Sequence, residues 1–208
     1  MDFDGWFNST LLPLLSDQNT DRKLKRRISW LCGQWVTVKF SASLRPQLYA
    51  VLIELMSPRE DLVVRLESAL CLKMAIDDFS FESDQMLQYQ EIACTRLIEL
   101  LRDCTECDTK MRVLYIYSLI LKRMRGKAVA CVGQISEYLP QLWEHAGDHF
   151  LLRGAIVCSL LELTLSLASQ AVSLYQILLP VCATAVDPHS QAFIYLADDG
   201  FELWVSLI

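Results

Sequence analysis

The sequence predicts an all-α fold of antiparallel helix pairs stacked side by side, and three observations carry that expectation. The stretch from Asp61 to Asp78 reads as a helix that is apolar on nearly every side, through Leu62, Val63, Val64, Leu66, Ala69, Leu70, Leu72, Met74, Ala75 and Ile76. A surface helix shows one apolar stripe, so this one must be buried between neighbours on several faces. Second, an acidic opening followed by an arginine recurs at Asp21/Arg26, Asp61/Arg65, Asp108/Arg112 and Asp148/Arg153, with Asp-to-Asp intervals of 40, 47 and 40 residues. Each Asp suits a helix start, where its carboxylate accepts backbone N–H bonds and meets the positive end of the helix dipole. Arg65 stands at the i,i+4 spacing that lets it reach Asp61. Third, proline recurs in phase in apolar helices that precede such openings or extend their period, at Leu12-Pro13, Arg45-Pro46, Leu139-Pro140 and Leu179-Pro180, the last two prolines 40 residues apart.

A period near 40 residues is that of two-helix solenoid repeats. The expected architecture is therefore an α-solenoid of about five HEAT-type pairs, a superhelical array running as one unit over residues 1–208. The first pair spans 4–39, with Ser16 to Thr20 as its turn, and the second spans 43–77, turning at Pro58-Arg59-Glu60. A longer connection, Asp78 to Asp84, precedes a third pair at 85–125 and accounts for the 47-residue interval. The fourth pair spans 129–167 and the fifth 173–208. The last helix opens on Asp187-Pro188 and is expected to break at Asp198-Asp199-Gly200. It carries Phe201, Leu203, Trp204, Val205, Leu207 and Ile208 with no following repeat to cover them, which reads as a truncated array.

Composition narrows the class. A chain that is 53% hydrophobic with seven glycines suits buried helices and not disorder. Its net charge of −6 argues against nucleic-acid binding by the chain as a whole, and a mildly acidic surface tolerates basic partners. Most of the eight cysteines fall in apolar helical stretches, where a thiol behaves as a small hydrophobe, so a reducing compartment is expected. Met1 is followed by Asp2-Phe3-Asp4-Gly5, which is no signal-peptide lead. Gly154 to Val172 holds Glu162 as its one charge and nearly meets the length of a membrane span, but a central carboxylate is costly in lipid. No membrane insertion is expected. The basic run Arg22, Lys23, Lys25, Arg26, Arg27 reads as a solvated helix face in preference to a localisation signal.

No chemistry stands out. Cys104-Thr-Glu-Cys107 lacks the second ligand pair of a zinc ribbon, and His145 and His149 lie too far along the chain, around Gly147, to complete a finger. With three histidines there are few candidate catalytic bases, and Gly126-Lys127 lacks the glycine and hydroxyl of a phosphate loop. Asp77-Asp78 and Asp198-Asp199 read as helix ends and not as acid–base pairs, and Trp6, Trp30, Trp35, Trp143 and Trp204 read as core packing. The expectation is no enzyme, no cofactor and no metal.

Several runs nevertheless point to a family. Arg26-Arg27-Ile-Ser-Trp30-Leu-Cys-Gly33-Gln34-Trp35-Val-Thr-Val-Lys39-Phe40 resembles the middle of an importin-β-type (karyopherin) nuclear transport receptor. So do Leu44-Arg45-Pro46, Asp61-Leu-Val-Val-Arg65, Asp77-Asp78-Phe79, Thr105-Glu-Cys-Asp-Thr-Lys110, Tyr138-Leu-Pro140 with Trp143, and Asp199-Gly200-Phe-Glu-Leu-Trp204. The resemblance implies a receptor shuttling between cytoplasm and nucleus, binding protein cargo, Ran-GTP and Phe-Gly nucleoporins. It implies that the second helix of each pair lines a concave face, with Asp21, Arg26, Asp61, Arg65, Asp108, Arg112, Asp148 and Arg153 forming an inter-repeat ladder there. Phe-Gly segments would insert between the first helices. The family's amino-terminal repeats, where Ran chiefly binds, find no match, so the chain reads as a central segment. The alternative is a HEAT scaffold outside transport, which shares the physics but not the Gly-Gln-Trp run.

Overall fold

The computed structural model describes residues 2–208, apart from the side chains of residues 129 and 130. The expected start of the fourth pair, Val129, therefore has a side chain outside the described residues. Backbone packing divides the chain into two compact units, Met1–Asp103 and Cys104–Ile208, so the two helices expected to form the third pair end one unit and begin the next. The described residues are helical throughout, joined by turns.

In the first unit α1 (Phe3–Trp6) passes through a wide turn at Phe7–Leu11 into α2 (Leu12–Ser16). Then come α3 (Arg22–Val36), α4 (Arg45–Leu55), α5 (Leu62–Asp77), the short α6 (Ser83–Met86) and α7 (Gln90–Asp103). Asp21 caps α3 by accepting from Lys23 N at 2.8 Å, and Asp61 caps α5 by accepting from Val63 N at 3.0 Å. Each satisfies one of the donors a helix start leaves open. Pro13 and Pro46 occupy first-turn positions, where no backbone N–H is needed. Helix α3 packs on α5, while α4 packs on α2, α5 and α7. Second helices thus form one layer and first helices another, around a core that includes Leu48, Leu52, Leu72 and Ile76. Phe3 stacks on Trp35 at 4.8 Å between ring centres.

The expected loop from Asp78 to Asp84 and helix from Gln85 are corrected. Helix starts early, at Ser83, stops after Met86, and restarts at Gln90. Arg45 anchors Asp78 and Ser80, and Met86 is buried, so the chain is held down before α7 can begin.

In the second unit α8 (Cys107–Met124), α9 (Val132–Ala146), α10 (Phe150–Leu167), α11 (Tyr175–Val186) and α12 (Phe193–Ser206) are linked by tight helical turns at Arg125–Cys131 and Ala168–Leu174. Helix α10 packs on α8, α9 and α12, and α11 packs on α12. Two openings differ from expectation. Glu106 and His149 occupy the cap positions of α8 and α10, and neither side chain caps; Asp108 and Asp148 do not serve as caps either. Helix α12 is unbroken through Asp198-Asp199-Gly200. Gly200 is there for close packing: a Cβ on it would stand 2.8 Å from Ala185 Cβ of α11. The stretch Phe150–Val186 is long and apolar enough for a membrane span, but 61% of its apolar window is buried inside the protein. Glu162 of α10 faces Lys122 of α8 at 3.9 Å.

Candidate functional site

The residues expected to form a ladder are divided between the two units, four in each, and their partners are mostly residues the sequence pattern does not single out. In the first unit the basic run of α3 is engaged, not simply solvated. Arg22 Nη1 donates to Asp61 Oδ2 at 2.8 Å, Lys25 Nζ to Glu60 Oε1 at 2.5 Å, and Arg26 Nε to Glu67 Oε2 at 3.3 Å. Lys25 is buried, so Glu60 supplies the counter-charge that an ammonium out of water requires. Chain separations of 39 for Arg22–Asp61 and 41 for Arg26–Glu67 match the repeat period. Positions one period apart on adjacent second helices face each other, and that spacing is the signal by which sequence could have found these pairs. Asp21 caps α3 and takes no part in these inter-helix pairs.

Two arginines lie deeper. Arg65 does not turn back to Asp61; its Nη1 donates to Asp103 Oδ2 at 2.6 Å and its Nε to the Met56 carbonyl at 3.2 Å. At the start of α5 the residue faces the core, so its guanidinium follows the buried path. Arg45, fully buried, donates to the Ala75 carbonyl at 2.9 Å, to Asp78 Oδ1 at 2.6 Å and to Ser80 Oγ at 2.7 Å. These bonds tie the start of α4 to the end of α5. Burial pushes the Asp78 carboxyl up, yet hydrogen bonds from Ser80 and the Arg45 guanidinium outweigh it and hold it below its ordinary value. Asp61 is likewise held low, chiefly by the Val63 N–H.

In the second unit Asp108 Oδ1 lies 3.8 Å from His149 Nε2, while Arg112 and Asp148 are exposed. Arg153 sets its guanidinium 4.8 Å over the Trp143 ring. Buried Ser118 and Ser159 share a hydrogen bond at 2.8 Å across α8 and α10, again 41 residues apart. Glu162 and Cys158 lie near Glu202 of α12, and Cys158 also near Asp199; burial first, then these carboxylates, push the Cys158 thiol up to about 12. Such a thiol is inert, not nucleophilic. None of the eight cysteines is in a disulfide.

Among the described residues no three His, Cys, Asp or Glu side chains converge as metal ligands would. The tryptophans are not core residues: Trp30 is 47% and Trp204 48% exposed, and the other three are half-buried. Among the clefts of the first unit, two lie between helices of one layer. One, of about 750 Å³, runs between the first helices α2 and α4 and is lined by Leu12, Leu15, Gln47, Ala50, Val51 and Glu54, with Lys25 and Glu60 at one end. The other, about 360 Å³, lies between the second helices α3 and α5 beneath Trp30.

The comparisons with known proteins agree with one another. A family model described as Importin-11-like, TPR repeats, matches residues 154–208. Importin-11 of mouse and of human are each 43% identical over 206 residues, 99% of this chain and 21% of theirs. Importin beta-like protein KAP120 of Saccharomyces cerevisiae is 28% identical over 217 residues, covering all of this chain and 21% of its own. The solved structure of Lph2, described as a bidirectional nuclear transport receptor of S. cerevisiae, superposes with a TM-score of 0.92 at 27% identity, over 100% of this chain and 22% of that one. The chain thus spans about a fifth of the length of the relatives it matches. The resemblance to importin-β-type receptors and the all-α HEAT-like array hold along the whole chain.

Proposed function

We propose that this importin-like chain is a central segment of a nuclear transport receptor of the importin-β family, working by wrapping and releasing protein partners and not by catalysis. The observation that carries the reading is 43% identity to importin-11 over 99% of the chain. In this reading the segment acts in the cytoplasm and the nucleus, and its similarity to importin-11 and KAP120 supports that. Within that reading the cleft between α2 and α4 receives the phenylalanine of a Phe-Gly nucleoporin repeat. Leu12, Leu15 and Val51 supply the apolar wall, and Gln47 and Glu54 at its rim meet the peptide backbone. The layer of second helices then carries cargo and Ran-GTP contacts, the main Ran site lying outside this segment. The surface pairs Arg22–Asp61 and Arg26–Glu67 hold adjacent second helices together in that layer and are not themselves the recognition code.

The test is a fluorescence or NMR titration with a Phe-Gly repeat peptide, repeated with Ser in place of Phe. Saturable, phenylalanine-dependent binding that Ala50→Arg abolishes supports the reading, since Ala50 is an exposed wall residue whose replacement fills the cleft without touching the core. Absence of binding by the folded chain, or binding indifferent to Ala50→Arg, overturns it.

A further inference from the structure

Deepening the reading that gives the second helices the partner contacts, we infer that the solvent-exposed face of α3 and α5 is a docking surface for an acidic peptide segment carrying an aliphatic or aromatic anchor residue. A chain of net charge −6 concentrates five cations and no acid on one helix, α3. Three of them are met by carboxylates of α5 and the turn before it. Among the described residues Lys23 and Arg27 have no ionic partner, and both are exposed. Their spacing puts them on one face of α3, with Trp30 a turn further on and Gln34 beyond it.

Beside that row the surface turns apolar. Trp30, half-exposed, overhangs the cleft of about 360 Å³ whose walls include Gly33, Leu70, Cys71 and Met74. Gly33 keeps the two helices close: a Cβ there would lie 2.9 Å from Met74 Sδ and 3.4 Å from Cys71 Cα. Gln34 Nε2 approaches Met74 Sδ at 3.8 Å and closes one end of the cleft. The result is two unpaired cations leading along α3 to an aromatic-roofed notch. A partner that satisfies both has carboxylates to face Lys23 and Arg27 and, some residues on, one bulky apolar side chain for the notch. A half-exposed tryptophan over a groove and a cation-lined approach are also what an anchored interface centre presents.

The same face argues against a nucleic acid. Asp61 at the cap of α5 and Glu67 of α5 already meet Arg22 and Arg26 beside these cations, and a phosphate backbone tracking the row would run into those carboxylates. A peptide with spaced acids avoids them. This surface lies on the layer opposite the α2/α4 cleft, so its occupancy does not depend on the Phe-Gly reading, and each can fail without the other.

The experiment is fluorescence anisotropy of the whole chain with a labelled decapeptide of alternating Glu and Ser around a central Leu. The same peptide with Lys for Glu, and a single-stranded oligonucleotide, serve as competing probes. Binding of the acidic peptide that weakens about tenfold in Lys23→Glu/Arg27→Glu and again in Trp30→Ala, and that falls with added salt, supports the inference. All three side chains are exposed, so the variants keep the fold, which circular dichroism verifies. Equal affinity in the charge-reversal variant, no binding of the acidic peptide, or preferential binding of the basic peptide or the oligonucleotide overturns it.

Discussion

The two units use one repeat geometry with two interface chemistries. In the first, adjacent helices are joined by ion pairs, two of them made by the buried arginines Arg45 and Arg65. In the second, α10 meets its neighbours through Ala155, Ile156, Leu160 and Leu163 and a shared serine hydrogen bond, and Lys122–Glu162 and His149–Asp108 stand at 3.9 and 3.8 Å. Both keep the period: 39 residues separate Ser29 from Ser68 and 41 separate Ser118 from Ser159. The period is therefore set by helix and turn lengths, and the chemistry at each step is free to vary. What varies is how the interface fails. A buried charge left alone is severely penalised, whereas an apolar contact weakens by degrees.

Arg45→Met carries the largest expected effect. It removes a fully buried cation and takes from Asp78 its counter-charge and from the Ala75 carbonyl its guanidinium donor, so a loss of about 3–5 kcal/mol is expected. Urea denaturation measures the loss, and hydrogen exchange should place it in α4 and α5. The counterpart in the second unit is Lys122→Ala, whose ammonium is exposed and 3.9 Å from its carboxylate; there the change should stay under about 1 kcal/mol. Equal effects would mean that burial of the arginine is not what sets the first unit apart.

Glycine gives the next contrast. At Gly200 a Cβ meets Ala185 Cβ at 2.8 Å, Val186 Cγ1 at 3.1 Å and the Ala185 carbonyl carbon at 3.3 Å. None of these can swing away, so Gly200→Ala should cost about 1–3 kcal/mol. At Gly33 the nearest atom is the thioether of Met74, the end of a flexible chain. The helix-propensity gain of about 1 kcal/mol then offsets most of the crowding, and Gly33→Ala should be near neutral. Thermal melts of the two variants check the ranking.

The same difference explains what is legible in the sequence. Helix existence follows from apolar patterning and from the near-40-residue period, and Asp21 and Asp61 cap because each stands directly before its helix. Asp108 lies one residue inside α8 and Asp148 two residues before α10, so an identical motif does different work. The basic run of α3 looks solvated in sequence because its partners lie a full repeat away; adding the period to Arg22 and Arg26 leads to Asp61 and Glu67. The break expected at Asp198-Asp199-Gly200 does not occur, because a glycine needed for tight contact looks in sequence like one needed for a turn. Trp30 and Trp204 look like core residues until neighbouring helices are in place, since only packing decides which side of a helix has company. The 79–89 segment is beyond a pattern reading: its course is set by Arg45, more than thirty residues upstream of the Asp78 and Ser80 it holds.

The serine pairs of the two units differ on a smaller scale. Ser118 and Ser159 are buried at 2.8 Å, within normal hydrogen-bond length, whereas Ser29 and Ser68 are 3.4 Å apart. Ser118→Ala should cost about 1 kcal/mol by leaving its partner short of a bond, and Ser29→Ala clearly less. The double variant Ser118→Ala/Ser159→Ala should cost less than the two single effects added, because both single changes delete the same shared bond while the remaining hydroxyl keeps its own helix carbonyl. Urea denaturation of the single and double variants closes the cycle.

The smallest expected effect is a pH dependence of opposite sign in the two units. Asp61 and Asp78 have folded values below the ordinary 3.8. Their contribution is fully present above that value and is lost as pH falls through it toward the lowered folded value, so acid weakens the first unit. Glu162 is raised above 4.5, by burial first and by Glu202 after, with Lys122 acting against both. A raised carboxyl disfavours the folded state while it is ionised, and the penalty is relieved as pH falls through its folded value toward 4.5. Between neutrality and about pH 4 the second unit therefore loses a penalty before the first loses its support. Hydrogen exchange corrected for intrinsic rates, followed by peptide across that range, should show α10 protection holding or rising while α5 protection is unchanged, with α5 falling only below the ordinary aspartate value. Glu162→Gln should flatten the α10 response and leave that of α5 intact; if α10 still responds, the titrating group is not Glu162 and the proposed electrostatic contrast between the units fails there.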